Sequence, residues 1–285
     1  MLRKIIVLVM VVIGLQKANA QLLNSFVHQG ELGFSMGAAH YFGDLNPNSA
    51  INRPKMAAGI FFRKQVSNYI GIRLSGDYAM LGYADKYSSN PVQVTRNLSF
   101  NTNVWELSIA GDFNFFRFQP GFEGYEFTPY IGIGVGVFSF DPYAYLNGEK
   151  YYLRTLGTEG QGSSLYPNLH PYSPIAVSVP FTVGVKYALN AQTNVFAELT
   201  YRFTTTDYLD DVSGTYAPDA FPPLPDGSPS PAFLLQDRSY ETGTSVGVKG
   251  RQRGNSLQKD AFATLKVGIS FNLQTYRCPP SPAGR

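Results

Sequence analysis

Over residues 263–273 the sequence ATLKVGISFNL changes character at every step. Leu265, Val267, Ile269, Phe271 and Leu273 share one face, while Thr264, Lys266, Gly268, Ser270 and Asn272 share the other. A repeat of two is the period of a β-strand, and helical spacing would mix the two sets. The same alternation runs through residues 31–42, 70–80, 105–116, 130–138, 177–187 and 195–203, and less regularly through 56–64. Eight strands are therefore expected, an even number.

Alternation alone does not say which face is the core. A soluble sandwich would turn its apolar face inward. Two features point to the opposite arrangement. The polar face carries Gly33, Gly37, Gly132, Gly134, Gly136, Gly184 and Gly268 together with small Ser and Thr. Small residues suit the crowded interior of a narrow barrel. The connections also alternate in length. Those at 43–55, 84–99, 141–173 and 206–260 are long, whereas those at QVSN, 117–128 and LNAQ are shorter. Short turns at one end and long loops at the other mark an outer-membrane β-barrel. The expected fold is all-β: an eight-stranded antiparallel up-and-down transmembrane barrel over residues 21–274. Its N-terminus is expected in the periplasm and its long loops outside the cell. Phe62, Phe115, Tyr187 and Phe271 are expected to girdle the periplasmic end, with Tyr41, Phe203 and Tyr208 at the outer rim.

The ends of the chain fit an exported protein. Arg3 and Lys4 precede a short apolar run, IIVLVMVVIGL, and Ala18-Asn19-Ala20 is a small-x-small cleavage site. Residues 1–20 read as a secretory signal peptide. Without Arg3, Lys4 and Lys17, the 23 basic residues fall to 20, matching the 20 acids. A neutral mature chain gives no electrostatic case for nucleic acid. Cys278 is the single cysteine, so neither an internal disulfide nor a cysteine-based zinc site is expected. Residues 275–285 form a short proline-rich tail.

Ten charges fall on the polar face: Glu31, Asp77, Glu106, Asp112 and Glu198 against Arg63, Arg73, Lys186, Arg202 and Lys266. Eight strands enclose little more than their own side chains. A lone charge buried there is costly, so the five acids and five bases are expected to pair as a plug. An ion pathway is the alternative.

The longest loop opens with TDYLDDVSGTY, residues 206–216. Asp207, Asp210 and Asp211 lack the alternate ligand spacing of a calcium loop. A hydrolase built on His40 or His170 with these acids is conceivable at the rim. Aspartates are also common turn formers, and a solvated structural loop is the plainer expectation. GTEGQGSS at 157–164 lacks the Lys-Ser/Thr of a phosphate loop. Lys249, Arg251 and Arg253 could touch lipopolysaccharide phosphates or simply be solvated. We expect no catalytic residue, cofactor or metal.

Several stretches together resemble one family: RPKMAAGIFFR, RNLSFNTNVWELSIAGDFNFF, FTPYIGIGVGVFSFDPYAYLNGEKYYLRTLGTEGQG, TDYLDDVSGTY and KDAFATLKVGISFNL. They are similar to the PorG-like outer-membrane barrels of Bacteroidetes. The most specific parts are LGTEGQG and TDYLDDVSGTY. The resemblance implies a non-enzymatic accessory of the type IX secretion machinery, which also supports gliding in some relatives. It implies as partners the periplasmic ring lipoprotein and that lipoprotein's own partner, beside the outer-membrane lipid. It also favours a structural or docking role for Asp207, Tyr208, Asp210, Asp211, Gly214 and Tyr216. The competing readings are a structural barrel without a secretion role and the rim hydrolase.

Overall fold

The computed structural model describes residues 30–47 and 49–273. The expected signal peptide and the tail lie outside the described residues. Ten strands occur in chain order: β1 (Gly30–Phe42), β2 (Lys55–Gln65), β3 (Ile70–Ala84), β4 (Ser99–Asn114), β5 (Phe127–Ser139), β6 (Tyr143–Leu146), β7 (Glu149–Tyr152), β8 (Ile175–Ala188), β9 (Thr193–Thr204) and β10 (Ala261–Leu273). Eight of them form a closed antiparallel ring, each paired with its neighbours in sequence apart from the interposed β6 and β7. The ring closes where β1 pairs β10, from Gly30 opposite Leu273 to Phe42 opposite Ala261. The β6–β7 hairpin stands on β4 through Asn101 and Tyr143.

The barrel is apolar outside and polar inside. Trp105 is 64% exposed and Leu107 62%, and Phe34, Ile109, Val135, Val183 and Leu265 also face outward. Glu31, Arg63, Lys186 and Arg202 are buried within. Such a surface is stable only against hydrocarbon, and ring closure leaves no open sheet edge in the lipid-facing belt, as a bilayer demands. This is an outer-membrane β-barrel fold. The expected glycine-lined interior is equally crowded. A Cβ at Gly33 would lie 2.3 Å from the Phe61 ring, and one at Gly184 would lie 2.7 Å from Tyr130.

Phe62, Phe115, Tyr187, Phe271 and Phe203 face outward as expected of girdles. Tyr41 does not. It lies on the Glu31 face of β1 and is 1% exposed, because its ring packs edge-on to Phe100 inside the rim. Tyr208 sits within the long loops, stacked on Tyr172 at 4.4 Å.

The apolar core is not at the waist of the barrel but at its long-loop end. Tyr41, Leu45, Leu81, Phe100, Phe138, Phe140, Leu153, Leu209, Val212, Leu235 and Phe262 form one buried cluster. Three short helices serve this cap: α1 (Pro91–Arg96), α2 (Leu153–Leu156) and α3 (Pro231–Gln236). Asn90 and Ser230 cap α1 and α3, each accepting a backbone N–H of the first turn.

Candidate functional site

The structure gathers all ten predicted lumen charges inside the barrel. Register brings some together as complements: Glu31 faces Arg63, and Lys266 faces Glu198. It also places like charges opposite each other, Arg63 with Arg73 and Asp77 with Glu106. Such pairs are unfavourable by themselves. Each is bridged by an opposite charge. Asp112 lies 2.7 Å from Arg63 and 3.5 Å from Arg73. Arg202 lies 2.5 Å from Glu106 and 3.5 Å from Asp77. Arg73 also reaches Glu198 at 2.6 Å, and Lys266 joins Asp77 and Glu198. Hydroxyls extend the network, with Tyr130 donating to Glu198 at 2.8 Å and Ser270 to Glu31 at 2.5 Å. Lys186 stands over the Phe118 ring at 4.3 Å, where the 115–126 connection closes the short-turn end.

The TDYLDDVSGTY segment is not solvated, which corrects the expectation for it. Asp207, Asp210 and Asp211 are 3%, 1% and 0% exposed, and Tyr216 is buried too. The loops fold over the lumen, and these acids are the polar joints of the cap. Asp211 adopts the left-handed region at φ 67, which Asp tolerates better than most residues. It accepts from Thr158 and from the Tyr172 hydroxyl at 2.7 Å, with Arg253 at 3.6 Å. Asp207 accepts from Ser213 at 2.5 Å. Gly214 donates its N–H to Glu159 at 3.0 Å, as does Ser213 at 2.9 Å. The two most distinctive segments of the sequence, LGTEGQG and TDYLDDVSGTY, thus interlock. Gly157 turns LGTEGQG at φ 62, in the left-handed region that glycine adopts freely. Arg253, also expected at the surface, is buried between Glu159 at 3.1 Å and Asp211.

Tyr41 joins this cap to the barrel seam. Its hydroxyl meets Asp210 and, at 3.2 Å, Asp260 just before β10. One hydroxyl hydrogen cannot serve two carboxylates, so a proton on one carboxyl supplies the second link. Burial and then the nearby Asp44 carboxylate hold Asp210 well above the ordinary range. Burial and then Asp210 do the same for Asp260. Burial, opposed by the Ser213 hydrogen bond, pushes Asp207 up to about 6. Burial, opposed by Arg253, pushes Asp211 up to about 6.

Sequence reasoning missed a second joint of the cap. Arg96 binds Asp85 through two 2.7 Å contacts and donates to the carbonyls of Arg253 and Asp44. A single side chain of the second long loop thereby ties the first and fourth. Neither His40 nor His170 is hydrogen-bonded to the three aspartates among the described residues. His40 Nε2 instead lies 2.7 Å from the Ala50 carbonyl, beneath the first long loop. His170 is exposed. No group of three His, Cys, Asp or Glu among the described residues is arranged to hold a metal ion.

Residues 3–221 match a family described as Domain of unknown function (DUF6089). The chain belongs to that family. This DUF6089 member has no match among curated proteins. Among solved structures it is similar to Neisserial surface protein A at 11% identity and a TM-score of 0.41, over 86% of this chain and 97% of that one. It is similar to the outer membrane protein OprG from Pseudomonas aeruginosa at 11% identity and 0.37, over 87% and 98%. It is also similar to the outer membrane enzyme PagL at 9% identity and 0.29, over 86% and 99%. For this DUF6089 barrel, the fold assignment rests on the closed ladder itself.

Proposed function

We propose that this barrel is a non-enzymatic anchor in the outer membrane for the type IX secretion machinery, holding the periplasmic ring lipoprotein and that lipoprotein's partner. The observation that carries the reading is the filled lumen. Salt-bridged side chains occupy the waist, and a cored cap covers one end. A body built this way is suited to being held against rather than passed through. The sequence resemblance to PorG-like barrels supplies the secretion context.

In this reading the short-turn end faces the periplasm and the long loops face outward. The buried carboxylates of TDYLDDVSGTY then shape the cap and do not touch a partner themselves. Tyr69, Phe122 and Tyr125 are exposed at the short-turn end and offer the kind of aromatic anchors that dominate protein interfaces. Deleting the gene should block export of type IX cargo and release the ring from the outer membrane. Normal export in a strain with no second such barrel would remove the secretion role and leave a structural barrel. Sidedness has its own test. A Leu257→Cys variant, with Cys278 replaced by Ser, should react with an impermeant thiol label on intact cells. Leu257 is 92% exposed in the longest loop, so labelling only after permeabilisation would invert the orientation.

A further inference from the structure

On the outer surface, β3 and β4 rise past the end of β2. The β2–β3 register stops at Ala57 opposite Ala79, whereas β3 and β4 stay paired to Ala84 opposite Ser99. Lys55 lies across the freed edge of β3. Its ammonium donates to Asn101 Oδ1 at 2.5 Å and reaches the Leu81 carbonyl at 3.5 Å, both neutral oxygens. A Cβ at Gly82 would lie 2.4 Å from that ammonium, so the glycine makes room for it. Beside it, the Arg53 guanidinium sits 3.9 Å from the Tyr87 ring centre, and the Lys86 ammonium 5.3 Å from the same ring. The three cations line one pocket of about 250 Å³. No ion pair joins any of them to a carboxylate among the described residues. Neighbouring Asp85 is buried against Arg96.

Directly below, the Tyr78 and Trp105 rings lie 4.6 Å apart at a tilt of 46°, and paired aromatic side chains of this kind sit at the level of lipid headgroups. Below them the lipid-facing surface holds a shallow groove of about 500 Å³ between Phe34, Ala58, Ile60, Gly76, Tyr78 and Trp105. Small Ala58 and Gly76 form its floor between larger neighbours. A cationic pocket thus stands one step above an apolar groove, on the same strands and across the headgroup level.

We propose that Arg53, Lys55 and Lys86 bind the phosphate of a lipid headgroup, with an acyl chain of the same lipid in the groove beneath. Unpaired cations at a membrane surface attract anionic headgroups, and basic pockets beside spanning segments hold them. A soluble phosphate would satisfy the cations but leave the groove without a role. Two other loop cations are less suited: Arg253 is buried in the cap, and Lys249 is paired with Asp219 at 2.5 Å.

Native mass spectrometry of the whole barrel from maltoside micelles tests this with bisphosphorylated lipid A and its phosphate-free form. The wild type should retain the phosphorylated lipid preferentially. Arg53→Gln, Lys55→Gln and Lys86→Gln should weaken retention roughly fivefold for each cation removed. Lys249→Gln with Arg251→Gln should leave it unchanged. Gly76→Leu, which fills the groove, should also reduce it. Equal retention of both lipid forms by the wild type would overturn the proposal without reference to any variant. So would full retention by the triple variant. Displacement of the lipid by inorganic phosphate would assign the pocket to a soluble anion and overturn the lipid source.

Discussion

Arg253 is the residue on which the cap most depends. It lies between Glu159 and Asp211 and donates to the Gln236 carbonyl at 3.0 Å, so one guanidinium joins the third long loop to both arms of the fourth. Arg253→Leu leaves two buried carboxylates without their counter-charge, a change that costs about 3–5 kcal/mol. The loss should be local. Amide exchange at Ser213 and Gly214 should accelerate while the barrel ladder stays protected; unchanged exchange in the cap would show that Arg253 is dispensable. The cap should also respond to pH. Asp207, Asp210, Asp211 and Asp260 all titrate above the ordinary carboxyl range near 4 when folded. Groups with raised folded values bind protons more tightly in the folded state. Their contribution is complete below the ordinary value and is lost as pH rises. It weakens through about 6 as Asp207 and Asp211 ionise, and the raised Asp210 and Asp260 act in the same sense. Limited proteolysis of 205–260 by a protease of pH-independent activity should be slower at pH 5 than at pH 8. Equal rates would contradict the buried-proton account. None of this was legible in TDYLDDVSGTY, because its partners stand at positions 41, 158, 159, 253 and 260. Among loop residues an aspartate reads the same whether water or a distant arginine surrounds it.

The strands were the legible elements. Wherever one face meets hydrocarbon and the other meets packed polar side chains, the sequence alternates, and the expected segments fall on the observed strands. The reading fails where that asymmetry ends. β3 and β4 continue through Leu81–Ala84 and Ser99–Val104, above the lipid-facing belt, where Leu81, Gly82, Tyr83 and Ala84 are all buried. With both faces covered, period two disappears at the end of β3; the end of β4 still alternates, but its outward positions Ser99, Asn101 and Asn103 are polar and look like loop. The same logic separates two classes of glycine within the strands. A Cβ at Gly268 would lie 2.2 Å from the Phe34 carbonyl across the β1–β10 seam, an approach only a backbone shift can relieve. At Gly111 a Cβ meets nothing within 4 Å. Gly268→Ala should therefore lower the fraction that migrates as a compact, heat-modifiable barrel on a gel, while Gly111→Ala should leave it unchanged. Similar behaviour of the two variants would mean that the seam yields more easily than its geometry implies.

At the scale of the whole molecule, the barrel is a closed post. With Asp112 and Arg202 each bridging two like charges, and with Phe118 and the cap at its ends, purified protein in planar bilayers should conduct poorly. Stable large openings would contradict a plugged lumen. Arg202→Leu leaves Asp77 and Glu106 opposed across β3 and β4 and should destabilise the barrel by about 3–5 kcal/mol in denaturant titration. Adding Glu106→Leu should recover part of that loss, and a strictly additive second loss would refute the bridge. The balance of five acids and five bases made a paired lumen legible in sequence, but the partner assignments were not, since they depend on register and on reach across the ring.

The seam between β1 and β10 joins the first and last strands of the ring, and Tyr41 and Asp260 come from its two sides. Their meeting point with Asp210 therefore cannot exist in an open sheet. While the strands are still being inserted, the acids of the long loops stand in water and carry their charges. Once the first and last strands zip, Tyr41, Asp210 and Asp260 are drawn together and lock around a proton shared by the two carboxyls. The lid is in this sense a latch that only a finished barrel can throw, and its resistance to protease records the moment of completion.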